Sequence, residues 1–154
     1  MDKQALKTEL IAQLEATLAT ARIAHASAIE GSTHEEARAE NDKDTRGLEQ
    51  SYLARGQAQR VAELEAAVGD VTALALRTFT PASVVALSAL VTIDEDDQRF
   101  LIAPAGGGCV LAGGVQVVTP SSPLGRALLG KGIDDEVELQ LPGKLRSFAI
   151  TSIG

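Results

Sequence analysis

The first 80 residues contain no proline, and that absence constrains the chain more than any other feature. Proline lacks an amide proton and clashes with the preceding turn, so a long stretch without it is free to run as unbroken helix. Leu6, Leu10, Leu14 and Leu18 recur at helical spacing with Ile11 beside them, which makes one narrow apolar stripe. Ala21, Ala24 and Ala28 extend it with side chains small enough for a partner helix to approach closely. Further on, Val61, Leu64, Val68, Val71 and Ala75 alternate steps of three and four, the spacing of a coiled-coil seam. Two such helices in succession pack antiparallel across a short connection, so residues 1–78 are expected to form a coiled-coil hairpin. Pairing Leu10 with Val68 and Leu14 with Leu64 places its turn near residue 39. Two segments compete for that turn. Gly31-Ser32-Thr33 offers a helix stop, with Ser32 and Thr33 each three residues before a glutamate. Glu40 to Gly47 offers Asn41-Asp42 and Thr45-Arg46-Gly47 as cap and turn chemistry. The pairing register favours the second, with Gly31 as a kink.

Past residue 78 the chemistry changes: all five prolines lie at Pro81 or later, and ten of the fourteen glycines at Gly106 or later. Residues 79–154 are expected to form a small antiparallel β domain with one short helix, making the whole an α+β chain. Val84 to Ile93, the acidic turn Asp94-Glu95-Asp96-Asp97 and Arg99 to Ile102 read as a hairpin. Cys109-Val110-Leu111 reads as a short strand between glycine runs, and Val115, Val117 and Val118 lead to Pro120. Ser122 can cap a short helix that begins at Pro123 and ends near Gly130. Val137, Leu139 and Leu141 alternate with polar residues, Pro142-Gly143 favours a type II turn, and Phe148 and Ile150 alternate on the return.

Composition removes several function classes. A net charge of −7 with 3% aromatic residues and no tryptophan speaks against a phosphate-binding surface and against base stacking, hence against sequence-specific DNA binding. One cysteine, Cys109, makes neither an internal disulfide nor a cysteine-rich zinc site and fits a reducing compartment. It reads as a small buried side chain. No leader and no membrane span are visible, so a cytoplasmic location is expected. Gly125 to Gly132 nearly spells a phosphate-binding loop, but Gly132 stands where the Mg²⁺-binding hydroxyl is needed. His25 and His34 have no metal-ligand spacing and are expected to face solvent. No self-contained active site emerges, so the chain is not expected to be an enzyme by itself.

One cluster stands apart. Glu30, Glu35, Glu36, Glu40, Asp42, Asp44 and Glu49 face only Arg38, Lys43 and Arg46 across the same stretch. As a solvated helix face this needs no function. Concentrated at the turn of a helical hairpin, the carboxylates of Glu40, Asp42, Asp44 and Glu49 could be carried to a metal ion held by another protein, because Mg²⁺ takes few oxygen ligands from any one partner.

The run Val118-Thr119-Pro120-Ser121-Ser122-Pro123-Leu124-Gly125-Arg126-Ala127-Leu128-Leu129-Gly130-Lys131, followed by Asp134-Asp135-Glu136-Val137 and Leu141-Pro142-Gly143-Lys144, closely resembles the C-terminal domain of bacterial Gre-type (GreA/GreB) transcript cleavage factors. Val91-Thr92-Ile93 with its acidic turn and Arg60 to Glu65 fit the same family. The resemblance implies an N-terminal antiparallel coiled coil and an FKBP-like C-terminal domain. It further implies a cytoplasmic elongation factor, monomeric and free of membrane, that binds RNA polymerase at the secondary channel and at most stimulates the polymerase's own cleavage of backtracked RNA. Ser122, Pro123, Leu124, Arg126 and Lys131 become candidates for docking on the polymerase. No resident cofactor is implied; Mg²⁺ of the polymerase site would be shared at Asp42 and Asp44. The tip departs from the family, which has two acids three apart, the second followed by Asn. Matching Tyr52 to the family's tyrosine after the tip places Thr45 and Leu48 on the two acids. Two other readings follow: a regulator that occupies the channel without stimulating cleavage, and a coiled-coil adaptor unrelated to transcription. Isomerase activity, which an FKBP-like fold also suggests, needs an aromatic-lined pocket, and this half has only Phe79, Phe100 and Phe148.

Overall fold

The computed structural model describes residues 1–38 and 46–154, and side chains outside 32–47 and position 50. Two helices come first, α1 (Lys3–Arg38) and α2 (Arg46–Thr72). Helix α1 runs through Gly31-Ser32-Thr33 without stopping, so that segment is not the turn; the competing segment Glu40 to Gly47 lies for the most part outside the described residues. Packing divides the chain into two compact units, one of Gln13–Val68 and one combining Met1–Ala12 with Gly69–Gly154. Helix α2 ends at Thr72 and the first strand begins at Leu90; the packing division marks which residues share a core.

Within the helical unit, Leu18, Ala21 and Leu64 form a buried cluster with Val61 and Val68 against it. Leu64 therefore packs one turn further along α1 than the expected Leu14. The Arg22 guanidinium meets Glu65 at 3.4 Å, with both side chains more than half exposed, and a pair so hydrated adds little stability. The stripe itself is as expected: Leu14, Leu18 and Ala28 are buried.

In the other unit, β1 (Leu90–Ile93), β2 (Arg99–Ile102), β3 (Gln116–Val118), β4 (Glu136–Leu141) and β5 (Lys144–Ile153) form one sheet in the order β3-β2-β1-β5-β4. Helix α3 (Pro123–Leu128) stands between β3 and β4 in sequence. The sheet is mixed, because β3 pairs parallel to β2 while the other neighbours are antiparallel. A parallel neighbour needs a crossover rather than a tight turn, and here the glycine-rich residues 103–115 supply it. This passage contains a 3₁₀ turn at Ala112–Gly114, and Val110 makes only an isolated bridge to Gln116. The expected strand at Cys109 to Leu111 is therefore a bridge in a loop. Likewise only the last four residues of the expected strand Val84 to Ile93 are strand.

The core joins Val91, Ile93, Phe100, Ile102, Val118, Leu128, Val137, Phe148 and Ile150, with Val85 and Ala89 from the segment before β1. Buried Ser88 accepts a hydrogen bond from the Arg77 amide at 2.8 Å, which satisfies the hydroxyl. The first turns of α1 belong to this unit through Leu6 and Leu10, both buried, and through polar side chains that reach main-chain groups. Lys3 Nζ donates to the carbonyl oxygens of Arg77 (2.6 Å) and Ser88 (2.9 Å) and to the Gly154 main-chain oxygen (3.2 Å). It also lies 4.8 Å from the Phe79 ring centre. Burial pushes the Lys3 pKa below its ordinary value. Lys7 donates to the Leu74 carbonyl at 2.8 Å, and Glu9 accepts from the Ala112 amide at 2.9 Å.

Candidate functional site

Helix α3 has only six residues, too few to hold itself together without outside support. Its support is Ser122. The Oγ accepts from the Gly125 amide at 3.0 Å and donates to the Thr119 carbonyl at 2.8 Å, closing the chain before the helix onto its first turn. Pro123 occupies the first helical position, where its missing amide proton costs nothing. Gly125 faces inward: a Cβ there would lie 1.9 Å from the Thr119 oxygen, so no other residue allows the approach. Leu128 is fully buried and Leu124 packs against the same core. Gly130 follows with φ +80 and ends the helix as expected.

These contacts sort the five docking candidates. Ser122 and Leu124 are half-buried and occupied with holding α3 in place, whereas Pro123, Arg126 and Lys131 are exposed. Arg126 and Lys131 share a groove with Ala127 and with Glu136 and Glu138 of β4. The glutamates were not among the sequence candidates, although their outward alternation along β4 was the available signal. The groove is rimmed by both signs of charge, suited to polar contacts on a protein surface rather than to capture of a free anion. The short α3 with a capped start, in place of a glycine-rich loop leading into a long helix, removes the phosphate-loop reading.

Of the acidic candidates, Glu40, Asp42 and Asp44 lie outside the described residues. Glu49 stands exposed in the first turn of α2. Leu48 and Tyr52 beside it are 53% and 59% exposed, and Arg55 stacks on the Tyr52 ring at 5.5 Å. The start of α2 thus presents apolar and basic groups together with its carboxylate. Among the described residues no group of acidic, histidine or cysteine side chains is arranged to hold a metal.

Three other expectations can be placed. His25 is half-buried rather than solvent-facing, and the side chain of His34 lies outside the description. Cys109 is half-buried rather than fully buried, and desolvation raises its pKa. Phe100 and Phe148 are core residues, so neither is available to line an isomerase pocket. No helix among the described residues is long and apolar enough to cross a membrane.

Residues 80–154 match the family model described as "Transcription elongation factor, GreA/GreB, C-term". The chain is also 31% identical over 126 residues to the transcription elongation factor GreA of Zymomonas mobilis, covering 77% of this chain and 76% of that one. The chain belongs to the GreA/GreB family of transcription elongation factors. A second GreA, from Sphingopyxis alaskensis, is 30% identical over 128 residues with the same coverage. Among solved structures, Gfh1 of Thermus aquaticus is 23% identical, with 97% of this chain and 94% of that one covered at a TM-score of 0.40. The GreA/GreB match takes in α3, the β4–β5 hairpin and the groove between them, and the relatives extend it into the helices.

Proposed function

We propose that this GreA/GreB-family factor binds RNA polymerase at its secondary channel, docking through the exposed face of α3 and bringing the turn between α1 and α2 into the channel. The carrying observation is the α3 face. Pro123, Arg126 and Lys131 are exposed on a helix whose position is fixed by the Ser122 cap and the Gly125 approach, within the segment that matches the family. A rigidly placed helix that exposes two cations beside a mixed-charge groove is pre-organised for a protein partner and loses little freedom on binding. Such a factor would act in the cytoplasm as a monomer, with no cofactor of its own. Pull-down with bacterial core polymerase should retain the full chain. No retention on core or on stalled elongation complexes would refute the reading and leave the coiled-coil adaptor.

For the consequence of binding, Leu48 favours occupancy over cleavage. It is exposed and apolar at one of the two places where matching Tyr52 to the family's tyrosine puts an acid, and an alkyl side chain cannot ligate Mg²⁺. Shared Mg²⁺ at Asp42 and Asp44 is the competing reading. Purified protein added to backtracked complexes with Mg²⁺ separates the two. Unchanged RNA length with binding demonstrated supports occupancy; shortening abolished by Asp42→Ala with Asp44→Ala supports cleavage.

A further inference from the structure

Thr92 pairs with Arg99 on β2 and with Ser152 on β5, so three polar side chains form one row across the sheet. Side chains alternate along a strand, and Val91 and Ile93 on either side of Thr92 are buried in the core. The row therefore lies on the other face. There it lines a cleft of about 310 Å³ together with Met1, Lys3 and Leu90, all of them residues of the β-rich unit. Both charged side chains in this lining, Lys3 and Arg99, are cations, on a chain whose net charge is −7. Among the described residues no side-chain carboxylate lies within ion-pair distance of either. Arg99 is held in place, because one Nη donates to the Gly113 carbonyl at 3.0 Å and the other lies 3.5 Å from Met1 Sδ. A guanidinium without a counter-charge, beside two hydroxyls, has the donor set that binds a phosphate group. Lys3 supplies the second element. Its Nζ donates to the Arg77, Ser88 and Gly154 main-chain oxygens rather than to a carboxylate, and burial lowers its pKa. A lysine desolvated beside another cation holds more of the neutral amine, the form that attacks electrophiles.

We propose that Lys3 is a modification site, acylated by acyl phosphates that this cleft binds: Arg99, Thr92 and Ser152 hold the phosphate group while the Lys3 amine attacks the acyl carbon. The C–N bond forms as the bond from that carbon to the bridging phosphate oxygen breaks. Inorganic phosphate leaves, and solvent takes the amine proton. The modification has a consequence built into the fold. The product carries one N–H where the ammonium carried three, and the charge 4.8 Å from the Phe79 ring centre is gone. One N–H cannot serve the Arg77, Ser88 and Gly154 oxygens together, so acylation loosens the first turn of α1 from the core it packs on.

The test incubates the full chain with acetyl phosphate and follows each lysine by peptide mass spectrometry. Lys3 should be acetylated faster than the exposed Lys131 and Lys144, at a rate that saturates with acetyl phosphate and is competed by inorganic phosphate. Arg99→Gln should lower the Lys3 rate about tenfold by raising the half-saturating concentration, and Arg99→Lys should restore part of it. Neither variant should alter the rates at Lys131 and Lys144. S-acetyl-N-acetylcysteamine, a thioester without phosphate, should prefer Lys3 less than acetyl phosphate does. The purified Lys3-acetylated protein should melt below the unmodified one. A Lys3 rate no higher than those of Lys131 and Lys144, a rate that does not saturate, or equal loss at all three lysines in Arg99→Gln would overturn the proposal. So would an equal preference for Lys3 with the thioester, or an unchanged melting temperature on acetylation. The measurement is made without polymerase, so its outcome is independent of whether the factor binds one.

Discussion

At Gly125 a single hydrogen atom decides whether α3 can lie where it does. A methyl group there would stand 1.9 Å from the Thr119 oxygen, 2.8 Å from its carbon and 3.0 Å from Ser122 Oγ. Two of these are backbone atoms, which cannot move without displacing the chain that caps the helix. Gly125→Ala should therefore lose about 1–3 kcal/mol, as overpacking does, and more than Ser122→Ala, which removes a cap that contributes about 1 kcal/mol. Urea unfolding of the two variants checks this, and an equal or smaller loss for Gly125→Ala would contradict the close approach. Cys109 makes a second prediction at this scale. Burial raises its pKa above that of the unfolded chain, so the folded thiol keeps its proton to higher pH. Its contribution to stability is fully present below the ordinary thiol value and is lost as pH rises through the raised one. Unfolding free energies of wild type and Cys109→Ser should accordingly diverge above pH of about 9, with the wild type falling faster. The native thiol should also react with iodoacetamide more slowly than free cysteine at that pH.

Among the elements, the β4–β5 hairpin follows from local chemistry alone. Leu141 pairs with Lys144 across Pro142-Gly143, and Gly143 holds φ +72, as a type II turn requires at its third position. Val137 and Leu139 point inward while Glu138 and Gln140 point out. A branched residue at Gly143 cannot adopt that torsion cheaply, so Gly143→Val should cost about 1–2 kcal/mol and lower the melting temperature in a thermal scan. The same local reasoning read α3, with its Ser122 cap and Pro123 start, and the buried leucine stripe of α1. It failed where tertiary partners decide. Val84 to Ala89 is as apolar as a strand, yet Ser88 takes φ +71 and its hydroxyl accepts from the Arg77 amide, so the chain turns there, Val84 makes only an isolated bridge to Gly132, and β1 begins at Leu90. The parallel placing of β3 depends on a crossover whose path no residue pattern encodes. Lys3 was unreadable for the same reason, since its three oxygen partners come from residues 77, 88 and 154, remote in sequence. In the site, the α3 residues were legible because capping is local, whereas Glu136 and Glu138 joined them only when β4 folded against the helix.

For the whole molecule the net charge of −7 sets the terms of any encounter. If a factor with this excess of negative charge docks on an acidic surface, it must present its cations first, because the rest of its surface field opposes the encounter. Arg126 and Lys131 are exposed within one groove, and the only other charged side chains lining it are Glu136 and Glu138. If this groove is the docking face, reversing both cations places four like charges along one rim, and such juxtaposition is strongly unfavourable against an acidic surface. Arg126→Glu with Lys131→Glu should weaken retention on core polymerase by about tenfold or more, with secondary structure by circular dichroism unchanged, since neither side chain is buried. Glu136→Lys with Glu138→Lys should do the opposite and strengthen it, because the rim then becomes uniformly basic. Raising ionic strength should shrink both effects together, as screening acts on exposed charges beyond about 10 Å at 0.1 M salt. If both double variants bind as the wild type does at low salt, the α3 face is not the docking surface, and the factor must engage its partner through the helices.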